Sequence, residues 1–234
     1  QVAHRPHFAQ YSEPLGKEKT FSIMMLDVQK NFRPAPCEVT PEIENFPFTN
    51  WIKSDSMTWV DMVLSLFYGS DALLLNLFPG SGNPANQEPR IGELLTQSRP
   101  GLEWISLKFS KDLKTKGVGI PWKEDAEEHV QIFQGQSMDE LNATSFQPGN
   151  LLLPYGVPVS SDMQEVNAIF GSLAWAFKDD EIWKMLSGGL LLDGVSAEIL
   201  CQRGFKDYIG VDFKGWVDRE KDKFSIEMVF TKES

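Results

Sequence analysis

The feature that most constrains the fold is the alternation of short apolar runs with segments of helical periodicity. Apolar runs at 21–28, 37–45 and 72–78 predict three strands, and residues 54–69 place apolar side chains at helical spacing between the last two. Strands that alternate with helices are typical of parallel α/β folds, and not of sandwiches or helical bundles. The sequence therefore predicts a parallel α/β fold.

Two helices of this first series have recognisable ends. Ser54, Asp55 and Ser56 are candidate caps for the helix that precedes Gly69, and Pro89 starts the next one. The stripe predicted to be buried in the first of these helices consists of Trp59, Met62, Val63 and Leu66. The predicted order is strand, helix, strand, loop, helix.

A change of composition divides the chain. Residues 109–128 are rich in lysine, glycine and acidic residues, which predicts a linker between a first domain at 1–108 and a second at 129–216. Residues 217–234 alternate enough to predict the start of a C-terminal β segment.

The second domain repeats the alternation with shorter elements. We expect strands at 190–193 and 208–213, with a helix that Asp179 or Asp180 caps and another that Gly204 ends. Elements this short and regular favour a small doubly wound sheet.

Composition excludes several classes of partner and site. A net charge of -11 disfavours nucleic acid and anionic membranes as partners, and the apolar runs are far shorter than the ~20 residues that span a bilayer. Cys37 and Cys201 form no CxxC pair, and His4, His7 and His129 do not cluster with them. We therefore expect no disulfide framework, no metal site and no cofactor, and the localisation stays open.

The segment 38–44 places acidic and apolar side chains on opposite faces of a strand. Glu38, Thr40, Glu42 and Glu44 share one face, and Val39, Pro41 and Ile43 share the other. In a barrel of parallel strands the outer face packs on helices, and the inner face opens into the active site at the carboxyl end. The acids fit the inner face, although glutamates that are solvated or salt-bridged at a strand end are an alternative.

The stretch "ENFPFTNW" and the run that follows it carry a resemblance to a known family. Glu44, Pro47, the Asn50–Trp51 pair and the apolar run 69–78 resemble the seventh and eighth strands of β-galactosidase-like glycoside hydrolases related to family 42. The segment "LLSGGxLLDG" to "RGxxxxxGV" of the flavodoxin-like domain in such enzymes, often called the trimerisation domain, is similar to residues 179–212 here. The resemblance implies the C-terminal part of a (β/α)8 TIM barrel followed by a flavodoxin-like, doubly wound α/β domain.

The resemblance also implies a function and its residues. Glu44 would be the nucleophile of a retaining β-glycoside hydrolase, with Glu42 as a reserve candidate. Trp51 would stack on the sugar and Asn76 would bind a hydroxyl, although a packed loop tryptophan and a structural amide are alternatives. Phe48 stands where the family usually has a small hydroxyl residue, so the sugar is open between a galactoside and another, such as a mannoside.

The partners follow from the same resemblance. About 250 residues make a full barrel, so we expect the missing N-terminal part of the same barrel, with the acid/base glutamate, to lie outside this chain. A homo-oligomer such as a trimer is implied by the resemblance to the flavodoxin-like domain. We expect the isolated chain to be inactive.

Two other functions stay open. One is a catalytically inactive relative that binds carbohydrate, and the other is a non-enzymatic α/β interaction or nucleotide domain. Gly188 and Gly189 lie beside a predicted strand, but the chain has no GxGxxG and no GxxxxGK[ST], which disfavours a phosphate site. We expect these glycines to allow a tight turn from helix to strand.

Overall fold

The computed structural model of the protein describes residues 3–4, 7–8, 17–32, 37–80, 82–109, 114–131, 138–143 and 146–216. The strands are β1 (Ala3–His4), β2 (His7–Phe8), β3 (Glu38–Val39), β4 (Glu42–Glu44), β5 (Leu74–Asn76), β6 (Val118–Gly119), β7 (Val159–Ser160), β8 (Val166–Ile169) and β9 (Gly189–Leu192). The α-helices are α1 (Lys17–Phe32), α2 (Asp55–Phe67), α3 (Pro89–Lys108), α4 (Ala126–His129), α5 (Gln147–Leu152), α6 (Asp179–Leu186), α7 (Gly194–Gln202) and α8 (Lys206–Ile209). Short 3₁₀ helices lie at Ala85–Gln87, Met138–Leu141, Leu153–Tyr155 and Gly171–Trp175.

The first half of the chain is built of parallel strands joined by helices. Strands β2, β4 and β5 pair in that order, all parallel, and β1 pairs with β3 in the same sense. Helix α1 connects β2 to β3, α2 connects β4 to β5, and α3 follows β5. The predicted parallel α/β fold is confirmed.

The prediction of a strand at 21–28 is wrong, because these residues lie inside α1. The helix is buried on two sides: Ile23 and Leu26 pack with Ile43 of the first sheet, and Met24 and Val28 belong to a second buried cluster. A helix with two buried sides reads as a continuous apolar run, which periodicity cannot distinguish from a buried strand.

Helix α2 has the predicted ends but a different buried face. The Ser54 hydroxyl accepts the backbone N–H of Met57 at 3.1 Å, and Gly69 follows the helix in the left-handed region with φ 82°. The buried side chains are Thr58, Asp61, Met62, Val63 and Ser65. Trp59 is exposed, so the predicted stripe is only partly right.

The second half forms a four-stranded parallel sheet in the order β7-β6-β8-β9. Strand β6 lies within 109–128, the segment predicted to be a linker, and it pairs with both β7 and β8. Gly117 next to it has φ 151°, and a Cβ there would lie 2.1 Å from the Pro158 carbonyl oxygen. The chain therefore enters the middle of this sheet through a contact that only glycine allows.

Two predicted details of the second sheet are wrong. Residues 208–213 form no strand: α8 ends at Ile209, and Gly210 has φ 69°. Lys178, and not Asp179 or Asp180, is the N-cap of α6, because the Glu181 carboxylate folds back to accept the Lys178 N–H at 2.8 Å. The predicted β segment at 217–234 lies outside the described residues.

Helix α1 joins the two sheets. Met24 and Val28 share a buried cluster with Ile120, Val159 and Ala168 of the second sheet. The opposite side of the same helix packs in the core of the first sheet. One helix therefore supplies side chains to both cores.

Candidate active site

The acidic and apolar faces of segment 38–44 are separated as predicted. Val39, Pro41 and Ile43 are buried, whereas the alternating positions Glu38, Thr40, Glu42 and Glu44 are half-buried. The alternation continues through Thr40 and Pro41, the two residues between β3 and β4. The apolar side packs on α1, α2 and α3, so the glutamates lie on the side of the sheet away from these helices.

Glu44 and Asn76 end adjacent strands. They are register partners in the parallel pair β4–β5, and the Asn45 N–H continues the ladder to the Asn76 carbonyl oxygen at 3.0 Å. The Asn76 side-chain amide donates to Oε1 of Glu44 at 2.8 Å. The structure therefore brings the predicted nucleophile and one predicted binding residue together at the carboxyl ends of two strands.

Glu42, the reserve candidate, lies one step deeper on the same face. It is in register with His7 on one side and with Leu74 on the other. It lies two residues further from the carboxyl end of β4 than Glu44 does. An approaching ligand would therefore meet Glu44 first.

Trp51 lies in the loop after β4 and lines a cleft. Its side chain is 92% exposed, so the ring is not packed in the loop, and its backbone N–H donates to the Thr49 hydroxyl at 3.2 Å. It lines an open cleft of about 830 Å³ together with Phe48, which is 81% exposed. Glu44 and Asn76 are not among the residues that line this cleft.

Arg90 fixes the loop that carries Trp51. Its guanidinium donates to both carboxylate oxygens of Asp55 at 3.0 and 2.7 Å and to the Asn50 carbonyl oxygen at 3.2 Å. The Asn50 amide donates to the Glu88 carboxylate at 3.1 Å. Hydrogen bonds thus link the loop after β4 to the starts of α2 and α3, and the Asn50 side chain makes one of these bonds.

A buried ionic cluster behind β4 was not among the features predicted from the sequence. Asp61 of α2 is fully buried, and its carboxylate oxygens lie 2.7 Å from Lys19 Nζ and 2.8 Å from Lys53 Nζ. The sequence does contain a signal, because Asp61 interrupts an apolar stretch of a predicted helix. A carboxylate in such a position must be paired or solvated.

The second sheet offers little room for a phosphate at its glycine-flanked turns. The Asp193 carboxylate accepts the backbone N–H of Ser196 at 2.8 Å and that of Gly171 at 3.0 Å, so it occupies the start of α7. Gly188 fits closely: a Cβ there would lie 2.0 Å from the Glu165 carbonyl oxygen. The role predicted for this glycine, a tight connection from helix to strand, agrees with the geometry.

Two classes of feature are absent from the part of the chain that the structure describes. Within the ranges given above, no three His, Cys, Asp or Glu side chains form a group that could hold a metal ion. No helix in those ranges combines the length and apolar character needed to cross a bilayer.

Comparison of the chain with protein-family models, with curated proteins and with solved structures gives no match.

Proposed function

We propose that this chain is part of a retaining β-glycoside hydrolase, β-galactosidase-like in character, whose nucleophile is Glu44. The observation that carries the proposal is the place of Glu44: a half-buried carboxylate at the carboxyl end of the middle strand of three parallel strands, hydrogen-bonded to Asn76. The carboxyl ends of parallel barrel strands are where catalytic side chains are found.

The first half of the chain is proposed to be the C-terminal portion of a TIM barrel. Support comes from β2, β4 and β5, which are parallel and are each followed in the chain by a helix. Among the described strands β5 pairs only with β4, and its Leu74 and Leu75 are 39% and 37% exposed. An open apolar edge favours pairing with a further strand, and the missing part of the same barrel would supply it.

The second sheet is proposed to be flavodoxin-like. When its strands are numbered in chain order, the arrangement β7-β6-β8-β9 becomes 2-1-3-4, the beginning of the flavodoxin-like order. By the resemblance, this part would serve as a trimerisation-type domain in a homo-oligomer.

The chemistry uses two carboxylates. Glu44 attacks the anomeric carbon as the C–O bond to the leaving group breaks, and a glutamate outside this chain protonates the departing oxygen. The same outside glutamate then removes a proton from water, which hydrolyses the glycosyl ester with net retention. The two carboxyl groups would be ~5 to 5.5 Å apart.

Asn76 and Trp51 have separate proposed tasks. The amide of Asn76 donates to Oε1 of Glu44, which orients the carboxylate and places Asn76 beside it to meet a sugar hydroxyl. Trp51 offers its exposed ring to a sugar face. The sugar is a β-galactoside or another β-linked sugar such as a mannoside.

The test uses the complete protein, in which this chain is joined to the polypeptide that carries the acid/base glutamate. Glu44→Gln should lower kcat on aryl β-glycosides by at least ~10³-fold, because the amide cannot form the glycosyl ester. Glu103→Gln, the same change on the exposed face of α3, is the control. Wild-type turnover in Glu44→Gln would exclude Glu44 as the nucleophile. Loss of turnover in Glu42→Gln alone would assign the nucleophile to Glu42, the reserve candidate.

One observation favours a second candidate, a relative that binds carbohydrate without hydrolysing it. Phe48 and Trp51 present exposed rings at a cleft that Glu44 does not line. Sugar binding by a complete protein that turns over neither galactosides nor mannosides would favour this candidate over the hydrolase.

A further inference from the structure

Lys53 is a buried lysine in the loop that follows β4. Its side chain is 1% exposed, and its ammonium group lies 2.8 Å from the fully buried Asp61 carboxylate. Lysine is almost never fully buried unless it is paired. The position therefore needs an explanation beyond packing.

The same ammonium group reaches the end of β4. Lys53 Nζ donates a hydrogen bond to the carbonyl oxygen of Glu44 at 3.2 Å. The carboxylate of Glu44 accepts from Asn76 at 2.8 Å. Lys53 thus contacts the peptide carbonyl of Glu44, and Asn76 contacts its side chain.

A buried ion pair is a poor way to gain stability. The desolvation of both charges offsets much of their attraction, and a well-packed apolar pair is often as stable or more so. A buried charged pair does fix the position of its side chains, because the ammonium group must stay beside the carboxylate that pairs with it. The Asp61 carboxylate also lies 2.7 Å from a second ammonium group, that of Lys19 on α1.

We propose that Lys53 is a positioning residue for Glu44. Held by Asp61, its ammonium group fixes the peptide carbonyl at the end of β4 and with it the direction in which the Glu44 side chain leaves the strand. The link to catalysis rests on the proposed function, whereas the geometric part does not. Direction matters for a nucleophile, since a misplacement of ~1 Å can cost ~10²-fold in rate.

Lys19 provides a matched control within the same cluster. It pairs with the same Asp61 carboxylate, but its ammonium group contacts Asp61 and Met57, and not the Glu44 carbonyl. If Lys53 served only to neutralise Asp61, loss of either lysine would have the same effect on Glu44.

The first experiment is NMR on the chain itself with ¹³C- and ¹⁵N-labelled Glu and Asn. Lys53→Met should shift the Glu44 carbonyl signal upfield, as expected for a lost hydrogen bond, and should shift the Asn76 side-chain amide. Lys19→Met should leave both signals in place. Unchanged signals in Lys53→Met, or equal changes in both variants, would overturn the proposal.

A second variant keeps the experiment decisive if Lys53→Met does not fold. The double variant Lys53→Met with Asp61→Asn removes both buried charges, and Lys19, which is partly exposed, can turn to solvent. It should fold and show the Glu44 and Asn76 signals displaced. Wild-type signals in the folded double variant would overturn the proposal.

The second experiment measures kinetics in the complete protein. Lys53→Met should lower kcat ~10- to 100-fold and leave KM within ~2-fold, because a misdirected nucleophile weakens the transition state and not the binding of substrate. Lys19→Met should have the wild-type kcat, and an unchanged kcat in Lys53→Met would contradict the catalytic role. If the wild type has no glycosidase activity, the proposed function fails, and the NMR result still decides the geometric claim.

Discussion

The carboxylate of Asp27 accepts the backbone N–H of Ser161 at 2.6 Å and so links α1, in the first half of the chain, to the end of β7 in the second. The other carboxylate oxygen accepts the Thr115 hydroxyl at 2.6 Å. Asp27 and Ser161 are both buried. Because α1 also packs in both cores, we expect the two sheets to unfold together.

Asp27→Ala should therefore destabilise the whole chain. It leaves the Ser161 N–H buried and unpaired, which should lower the unfolding free energy by about 2 to 4 kcal/mol in a single transition. The change is measured by denaturant unfolding, with tryptophan fluorescence and circular dichroism as the two probes. Asp125→Ala, at an exposed site, is the control. Two separate transitions in the wild type would show that α1 does not couple the sheets.

Tyr68 should make the unfolding free energy depend on pH in the alkaline range. Burial, with a smaller contribution from the negative charge of Asp27, raises the pKa of Tyr68 from 10.0 to about 12. The folded state then holds the phenolic proton between pH 10 and 12 while the unfolded state releases it. The stabilisation is complete below pH 10 and is lost as pH rises through 12, on the order of 2 kcal/mol.

The measurement for Tyr68 is the unfolding free energy at several pH values between 9 and 12. Tyr68→Phe cannot ionise, so its stability should fall less steeply than that of the wild type over this interval. Parallel curves for the two proteins would mean that Tyr68 ionises as readily in the folded chain as in the unfolded one.

Trp51→Ala should separate binding from stability. With the ring 92% exposed, the unfolding free energy should change by less than ~0.5 kcal/mol. Loss of a stacking ring should weaken binding of a β-galactoside or β-mannoside about 5-fold in calorimetry. Trp104→Ala, on an exposed position of α3, should change neither quantity. Equal affinity in Trp51→Ala and the wild type would remove Trp51 from the binding site.

Two glycine-to-alanine substitutions should change the unfolding free energy in opposite directions. Gly188→Ala forces a Cβ to within 2.0 Å of the Glu165 carbonyl oxygen, so the connection from α6 to β9 must shift, and we expect a loss of about 2 kcal/mol. Gly92→Ala, inside α3 with nothing near the added methyl group, should gain ~0.5 to 1 kcal/mol. Thermal or urea unfolding measures both changes. Wild-type stability in Gly188→Ala would contradict the close approach of Gly188 to the Glu165 carbonyl oxygen.

The strands and helices that carry the candidate site could be predicted from the sequence because their signals are local. The alternation from Glu38 to Glu44, the Ser54 cap and the proline that starts α3 act within a few residues, and each is present in the structure. What was missed depends on tertiary contacts. Helix α1 reads as a strand because two cores surround it, and β6 is only two residues long in a segment rich in lysine and glycine.

The site itself could be predicted only in part. Glu44 and Asn76 meet because consecutive parallel strands end at one edge of a sheet, which the sequence can anticipate. The position of Trp51 depends on contacts between elements, because Arg90 links its loop to the starts of α2 and α3. The contact of Lys53 with the Glu44 carbonyl depends on the buried Asp61, eight residues further along the chain. The sequence marks Asp61 as an acidic residue within an apolar stretch, but it does not show which lysines pair with it.

The most direct test of the central claim is covalent labelling of the nucleophile. The complete protein is incubated with the 2-deoxy-2-fluoro-β-glycosyl fluorides of galactose and mannose, and the labelled peptide is identified by mass spectrometry. We predict one glycosyl ester, on Glu44, with loss of activity in proportion to labelling. An ester on any other residue of an active protein would contradict it.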